Sequence, residues 1–272
     1  MSEEYIKELS KKFLQLKEEI THLLSGANRS GYSHLQNYIF FAHKPVFSFA
    51  EAILILRENQ KSNAAKVLLR ALFEAHIDII YHQIKDSEQR LAFSVKRMFD
   101  ERITILNEIQ SLIKKYPNLE SQDETKLFNN KYLTKALADQ GIHRQAILKA
   151  NPNLSGTKHL HLPDKAKLCE EGEVKNSEPG SFGRMYSLIY RQLSPVAHLN
   201  IEGLQEFVGQ DKYGKIFFHD GDNGDFIATQ AVEISIAFSK DLYDNTILTG
   251  EQVAIIQETE KFITQADIQF QE

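Results

Sequence analysis

Along almost the whole chain, hydrophobic residues recur three and four positions apart, and sustained alternation is rare. From Ser2 to Leu24, Tyr5, Leu9, Phe13, Leu16, Ile20 and Leu23 keep that spacing until Gly26, which predicts an amphipathic helix. Tyr38 to Glu58 reads as a second apolar helix, begun or bent near Pro45. Asn63 to Lys85 reads as a third, with Ser62 or Asn63 as its cap. It is apolar on nearly every side, so it is expected to be the central buried helix. Ser87 to Lys115 forms a long amphipathic pattern stopped by Pro117. Lys126 to Ala150 is weaker, one or two helices with an interruption at Gly141.

Two loops are rich in helix breakers. Asn151 to Lys158 carries Pro152 and Gly156, and Glu171 to Gly183 carries Gly172, Pro179, Gly180 and Gly183. Helical spacing resumes from Arg184 to Leu193 and from Pro195 to Phe207. A hairpin is expected across Asp211 to Gly214, with Lys215 to Phe218 as one strand. Asp225 is expected to cap a last pair of helices, Phe226 to Leu248 and Gln252 to Phe270, separated by Gly250. The pattern predicts an all-α, multi-helix bundle as a single domain over residues 1–272. A basic, loop-rich insertion is expected from 117 to 180, together with one short β-hairpin.

Composition narrows the setting. With 272 residues, 42% hydrophobic and 25% charged, the chain is ordinary for a soluble globular protein. Cys169 is the one cysteine, which leaves no disulfide within the chain and fits a reducing cytoplasm. Met1-Ser2-Glu3-Glu4 lacks the basic-then-apolar layout of a signal peptide. The longest apolar-rich stretch, Val67 to Tyr81, is broken by Arg70, Glu74 and Asp78, so no membrane span is expected. Net charge is −5, which argues against a protein that coats nucleic acid everywhere. Between Thr125 and Lys167, however, eight basic residues face only Asp139 and Asp164, and His143, His159 and His161 lie among them. That local excess is either a footprint for a polyanion or a solvated face.

Candidate chemistry concentrates in Tyr190-Arg191-Gln192-Leu193-Ser194-Pro195-Val196-Ala197-His198. In an unbroken helix Arg191 and His198 would share a face, because seven residues turn it through about 700°. Ser194 and Pro195 suit an N-cap and first helical position, placing His198 in a first turn where the helix dipole favours neutral imidazole. A neutral imidazole beside a fixed guanidinium can take a proton while the cation holds an oxyanion. The alternative is an Arg191–carboxylate pair and a packed core His198. On the third helix, Lys66, Arg70, Glu74, Asp78 and His82 follow one another every four residues and form one polar stripe. Either they pair internally (Lys66 or Arg70 with Glu74, Asp78 with His82), or they line a cleft facing His198. The Glu74–Asp78–His82 part and the His159-x-His161 pair with Asp164 are loose metal patterns. Asp220 to Asp225 has calcium-loop composition without the full spacing. No Walker loop, Gly-x-Gly-x-x-Gly, Gly-x-Ser-x-Gly or zinc cysteine pair occurs, so no metal and no cofactor is implied.

Two segments together carry a resemblance. Val67-Leu68-Leu69-Arg70-Ala71-Leu72-Phe73-Glu74-Ala75 and Tyr190-Arg191-x-Leu193-Ser194-x-x-x-His198 are similar to an LLRxxxEA helix and a YxxLSxxxH helix. Both belong to a family of bacterial domains of unknown function. The Arg-(x)6-His element also resembles the motif of HEPN domains (higher eukaryotes and prokaryotes nucleotide-binding), although here Ser194-Pro195 interrupts it. The HEPN resemblance implies a small helical bundle, a homodimer with the motif at its interface, and metal-independent endoribonuclease activity in toxin–antitoxin or phage-defence systems. It implies Arg191, His198, Arg70 and Glu74 as catalytic residues, with His198 as general base or acid and Arg191 at the phosphorane. Arg70 would be a second phosphate ligand, and Glu74 would orient Arg191 or His198. Tyr190, Ser194, Lys158, His159, His161 and Lys165 are then expected to bind substrate. The implied partners are RNA and an antitoxin or sensor protein, with no membrane. The alternative function is a non-catalytic helical module that binds nucleotide, RNA or a partner protein through the same polar cleft.

Overall fold

A computed structural model describes residues 3–84, 86–156, 160–171, 190, 193, 208–210, 216–218, 223–248 and 254–269. They form an all-α, multi-helix bundle, in two compact units. The first comprises Met1–Ile84 with His161–Glu272, and the second Lys85–Leu160. The second unit thus starts with a full helix, whereas composition alone set the insertion at 117–180.

In the first unit, α1 spans Glu3–Ser25 and buries Tyr5, Ile6, Leu9, Phe13, Leu16, Ile20 and Leu24. Leu24 rather than Leu23 closes the stripe, and Leu23 is exposed. The 3.6-residue turn drifts relative to a strict three–four pattern, which moves the last buried position by one. Helix α2 runs His34–Glu58 with Pro45 inside it, so the proline does not start the helix. The start is set by a capping box: the Ser33 hydroxyl accepts from the Gln36 amide, and the Gln36 side chain accepts from the Ser33 amide. By length and composition α2 is apolar enough to cross a membrane, the one such helix among the described residues. In the bundle it buries Ile39, Val46, Phe47, Ala50, Ile53 and Leu54.

Helix α3 spans Ser62–Gln83 and is the buried centre, with Leu69, Leu72, Phe73 and Ile77 fully covered. Its cap position is Lys61, without a side-chain cap bond, because Ser62 and Asn63 are themselves buried in the first turn. Two later helices also belong to this unit. The first, α7 at Gly224–Asp244, packs on α2 and α3; the last, α8 at Ala254–Gln269, packs on α1, where Tyr5 stacks on Phe262 at 5.0 Å. Asp225 does not cap α7. It lies in the first turn, and its carboxylate accepts from Arg57 Nε at 2.7 Å. An added Cβ at Gly224 would stand 2.8 Å from Ser62 Oγ and 3.2 Å from Arg57 Cγ, so a larger residue there would have to displace those side chains. Helix α6, Leu162–Glu171, packs along α3. Strands β1 (Val208–Gln210) and β2 (Ile216–Phe218) form the antiparallel hairpin, with Gly209 opposite Phe217.

The second unit is a helical hairpin. Helix α4 spans Ser87–Lys115, a 3-10 turn follows at Pro117–Leu119, and α5 spans Asn130–Ala150. Asn129 caps α5, its side-chain oxygen accepting from the Lys131 and Tyr132 amides. Helix α5 passes through Gly141 without a break. One glycine costs a helix only about 1 kcal/mol relative to alanine, and the flanking residues are good helix formers.

Candidate functional site

The polar stripe of α3 is partnered from outside the helix. Arg70 and Glu74 lie one turn apart, and Arg70 Nε donates to Glu74 Oε1 at 3.1 Å. Tyr190 then closes a three-membered network. Its hydroxyl donates to Glu74 Oε1 at 2.8 Å and accepts from Arg70 Nη2 at 2.8 Å. The guanidinium also stacks over the Tyr190 ring, 4.9 Å from its centroid, and that ring packs 6.2 Å from Phe73. Burial and then the Glu74 carboxylate push the Tyr190 phenol above its ordinary value, against the opposing effect of Arg70. Arg70 is mostly covered, 15% exposed at its side chain, whereas Glu74 at 41% keeps one edge open to solvent.

Lower on α3 the arrangement changes. Asp78 does not pair with the His82 side chain; its carboxylate accepts from Lys165 Nζ of α6 at 2.6 Å. Lys165 lies 5.3 Å from the Tyr81 ring centroid, a second cation–π contact. The Cys169 thiol, one helical turn on, donates to the Ile77 carbonyl at 3.7 Å. His82 turns Nδ1 to the backbone carbonyl of Asp78 and packs between the rings of Tyr38 and Tyr81. Burial, then the Asp78 charge, pushes the Tyr38 phenol up. The three stripe residues read as loose metal ligands are therefore divided among separate partners. Among the described residues no three His, Cys, Asp or Glu side chains converge on a common point.

Of the residues expected to form the site, the structure brings together Arg70, Glu74 and Tyr190. Arg191, His198, Ser194, Lys158 and His159 lie outside the described residues, and His161 is exposed at the start of α6. Lys165 of α6 is ion-paired to Asp78, one turn beyond Glu74 on α3. Within the basic segment, Lys126 meets Asp123 at 3.8 Å, Lys131 meets Glu124 at 2.8 Å, and Arg144 binds Asp100. Asp123 and Glu124 lie just outside the Thr125–Lys167 window and Asp100 lies on α4, so part of the excess counted inside it is offset by neighbours in space. Lys135 and Lys149 remain exposed on α5.

Sequence reasoning missed α6 and with it the Lys165–Asp78 pair on Tyr81. The signal was present: Leu162, Ala166 and Cys169 stand at helical spacing, and the last two are buried. The junction of Tyr190 with Arg70 and Glu74 spans 120 and 116 residues and had no local signature.

A family model, described as a family of unknown function (DUF5677), matches residues 36–216, about two thirds of the chain, and the chain belongs to that family. No curated protein and no solved structure matches the chain. The matched region contains both motif segments that meet at Tyr190.

Proposed function

We propose that this member of the family is an HEPN-like, metal-independent endoribonuclease acting as a toxin or phage-defence effector. The observation that carries the reading is the Arg70–Glu74–Tyr190 network. It joins the Leu-Leu-Arg-x-x-x-Glu-Ala helix to the first residue of the Tyr-x-x-Leu-Ser-x-x-x-His segment, 120 residues away. Two segments that chemistry would use together are thus held by side chains of the motifs themselves.

RNA cleavage without metal needs a base for the 2′-hydroxyl, an acid for the leaving 5′-oxygen and positive charge at the phosphorane. His198 is assigned proton transfer and Arg191 the phosphorane oxygens. Arg70 supplies a second cation. Glu74, fixed by Arg70 and Tyr190, orients the adjoining segment from its solvent-open edge. One observation favours the alternative, a non-catalytic module that binds nucleotide, RNA or protein. Arg70 already has its charge balanced by Glu74 and its plane covered by Tyr190, as in a purely structural clasp.

Incubating the purified protein with total RNA, with and without EDTA, tests the assignment. The expected result is cleavage that survives EDTA and leaves 2′,3′-cyclic phosphate ends. His198→Ala is expected to lower the rate about a hundred- to ten-thousand-fold with an unchanged melting curve. Equal rates for mutant and wild type, or loss of the fold along with loss of cleavage, would remove the catalytic role of His198. Binding of RNA without cleavage would favour the alternative.

A further inference from the structure

We propose that an exposed seam along α4 is a self-association surface, on which the same helix of a second copy of this chain docks antiparallel.

One face of α4 is already used by α5. Phe99 stacks on His143 at 5.6 Å, Asp100 binds Arg144, and Ile113 is buried. About 100° further round the helix lies a second stripe. Met98, Ile105 and Leu112 recur every seven residues, and Leu119 continues the step in the turn beyond. Their exposures are 37%, 54%, 45% and 43%. Val95, Arg102, Ile109 and Tyr116 occupy the alternate places, with Tyr116 46% exposed. Within the helix, steps of three and four residues from Val95 to Leu112 make a coiled-coil seam, the pattern that fits another helix running alongside. Among the described residues of this unit, α4 packs on α5 and on the turn at Pro117–Leu119.

The charges choose the occupant and its direction. Pairing α4 with a second α4 in parallel sets the partner's Arg102 against Arg102, two cations in the middle of an apolar seam. Reversing the second copy about the middle of the stripe sets Ile105 against the partner's Ile109, and Met98 against the partner's Tyr116. Arg102 then faces the partner's Leu112, one turn from the partner's Glu108. Glu101, which binds exposed Arg97 within its own chain, comes within two residues of the partner's Lys115. The two Glu108 carboxylates near the axis are the repulsive element, and each has the partner's Arg102 within a turn. The helical part of the seam, from Val95 to the end of α4 at Lys115, is about 30 Å long at 1.5 Å per residue. Two helices in contact over that length cover the roughly 1,000 Å² that a specific interface needs.

Sedimentation of the full chain from micromolar to sub-millimolar concentration tests the proposal. The expected species is a dimer, and the double substitution Ile105→Glu with Leu112→Glu is expected to make it monomeric with unchanged helix content and melting. A monomer throughout, or a dimer that survives both substitutions, overturns the proposal. Direction is read with single cysteines, since Cys169 is buried. Mixing Met98→Cys with Tyr116→Cys chains should give a covalent heterodimer on mild oxidation, whereas Met98→Cys alone should not cross-link to itself. Cross-linking by Met98→Cys alone at equal yield would overturn the antiparallel register. Glu101→Lys should weaken the dimer, and adding Lys115→Glu should restore it; a double variant as weak as the single one would count against the charge pairing.

Discussion

In the first unit Phe13, Phe47, Phe73 and Phe238 are at most 2% exposed, and the edge-to-face contacts of Phe47 with Phe238 tie α2 to α7. Among the described residues of the inserted unit, the buried apolar ones are Leu91, Ile113, Leu133 and Leu154, and none is aromatic. The inserted unit leans instead on polar devices. Asn129 caps α5, and Asp100 holds Lys96 at 2.6 Å as well as Arg144. Burial alone would raise the Asp100 carboxyl, but hydrogen bonds from Lys96 and Arg144 outweigh it and hold its pKa below the ordinary range. A helix packed on several sides gains stability from area. A helix packed on one side has less area to gain from, so caps and ion pairs form a larger share of its total.

The sharpest way to break that contrast is to truncate one buried side chain in each unit. Phe238→Ala is expected to cost about 3–5 kcal/mol, and Leu133→Ala about 2 kcal/mol, because the half-exposed surroundings of Leu133 can close over the gap. Urea unfolding followed by circular dichroism measures both. An equal or larger cost at Leu133 would mean the inserted unit is as tightly packed as its host.

The next largest effect is on pH dependence, and it belongs to the first unit. Burial pushes the Asp241 carboxyl up to about 7, with Asp244 adding to it and the neighbouring Gln83 side chain opposing. Burial pushes the His76 imidazole down to about 4. A carboxyl raised on folding contributes stability below its unfolded value of 3.8 and loses it as pH climbs to about 7. A histidine depressed on folding contributes above 6.5 and loses that contribution as pH falls to about 4. The two slopes oppose each other across the interval between, so the wild-type unfolding midpoint should be nearly flat from pH 4 to 6.5. Asp241→Asn should uncover a midpoint that falls on acidification, and His76→Gln one that rises. Parallel profiles for the two variants would disprove the opposition.

The smallest effect sharpens the contrast from the other side. Asp100→Asn removes two ion pairs whose members are 16–35% exposed, so each should be worth no more than about 1 kcal/mol. Hydrogen exchange should report faster opening of α4 and α5 amides, with those of α3 and α7 unchanged. Faster exchange in α7 as well would show the two units to be energetically coupled.

Much of this architecture was legible from local pattern. Helix α4 follows its sequence signals at both ends, and α3 is as buried as its all-round apolar surface implied. The errors share a physical origin in competition for partners. Asp225 has the right chemistry for a cap, but Arg57 claims its carboxylate; Ser62 and Asn63 could cap α3, but burial takes them first. The start of α2 was readable from Ser33 and Gln36, three residues apart, a signal masked by the nearby proline. At the candidate site, the Arg70–Glu74 pair followed from four-residue spacing, whereas the arrival of Tyr190 and Lys165 depends on how distant segments return to α3. Periodicity describes the face a helix presents and carries no information about which segment covers it.

The position of α7 sets an order of events for a chain emerging from the ribosome. Helices α2 and α3 share their core with α7, which lies beyond residue 223, and Arg57 of α2 joins Glu3 of α1 to Asp225 of α7. The host unit cannot close until translation has passed that point. The hairpin between residues 85 and 160 makes its contacts locally, so it can form while the first three helices still wait for their partner. During that interval the apolar surface of α2 and α3 is open, and the nascent chain is most exposed to chaperones and to misassociation after its insert has folded and before its host has.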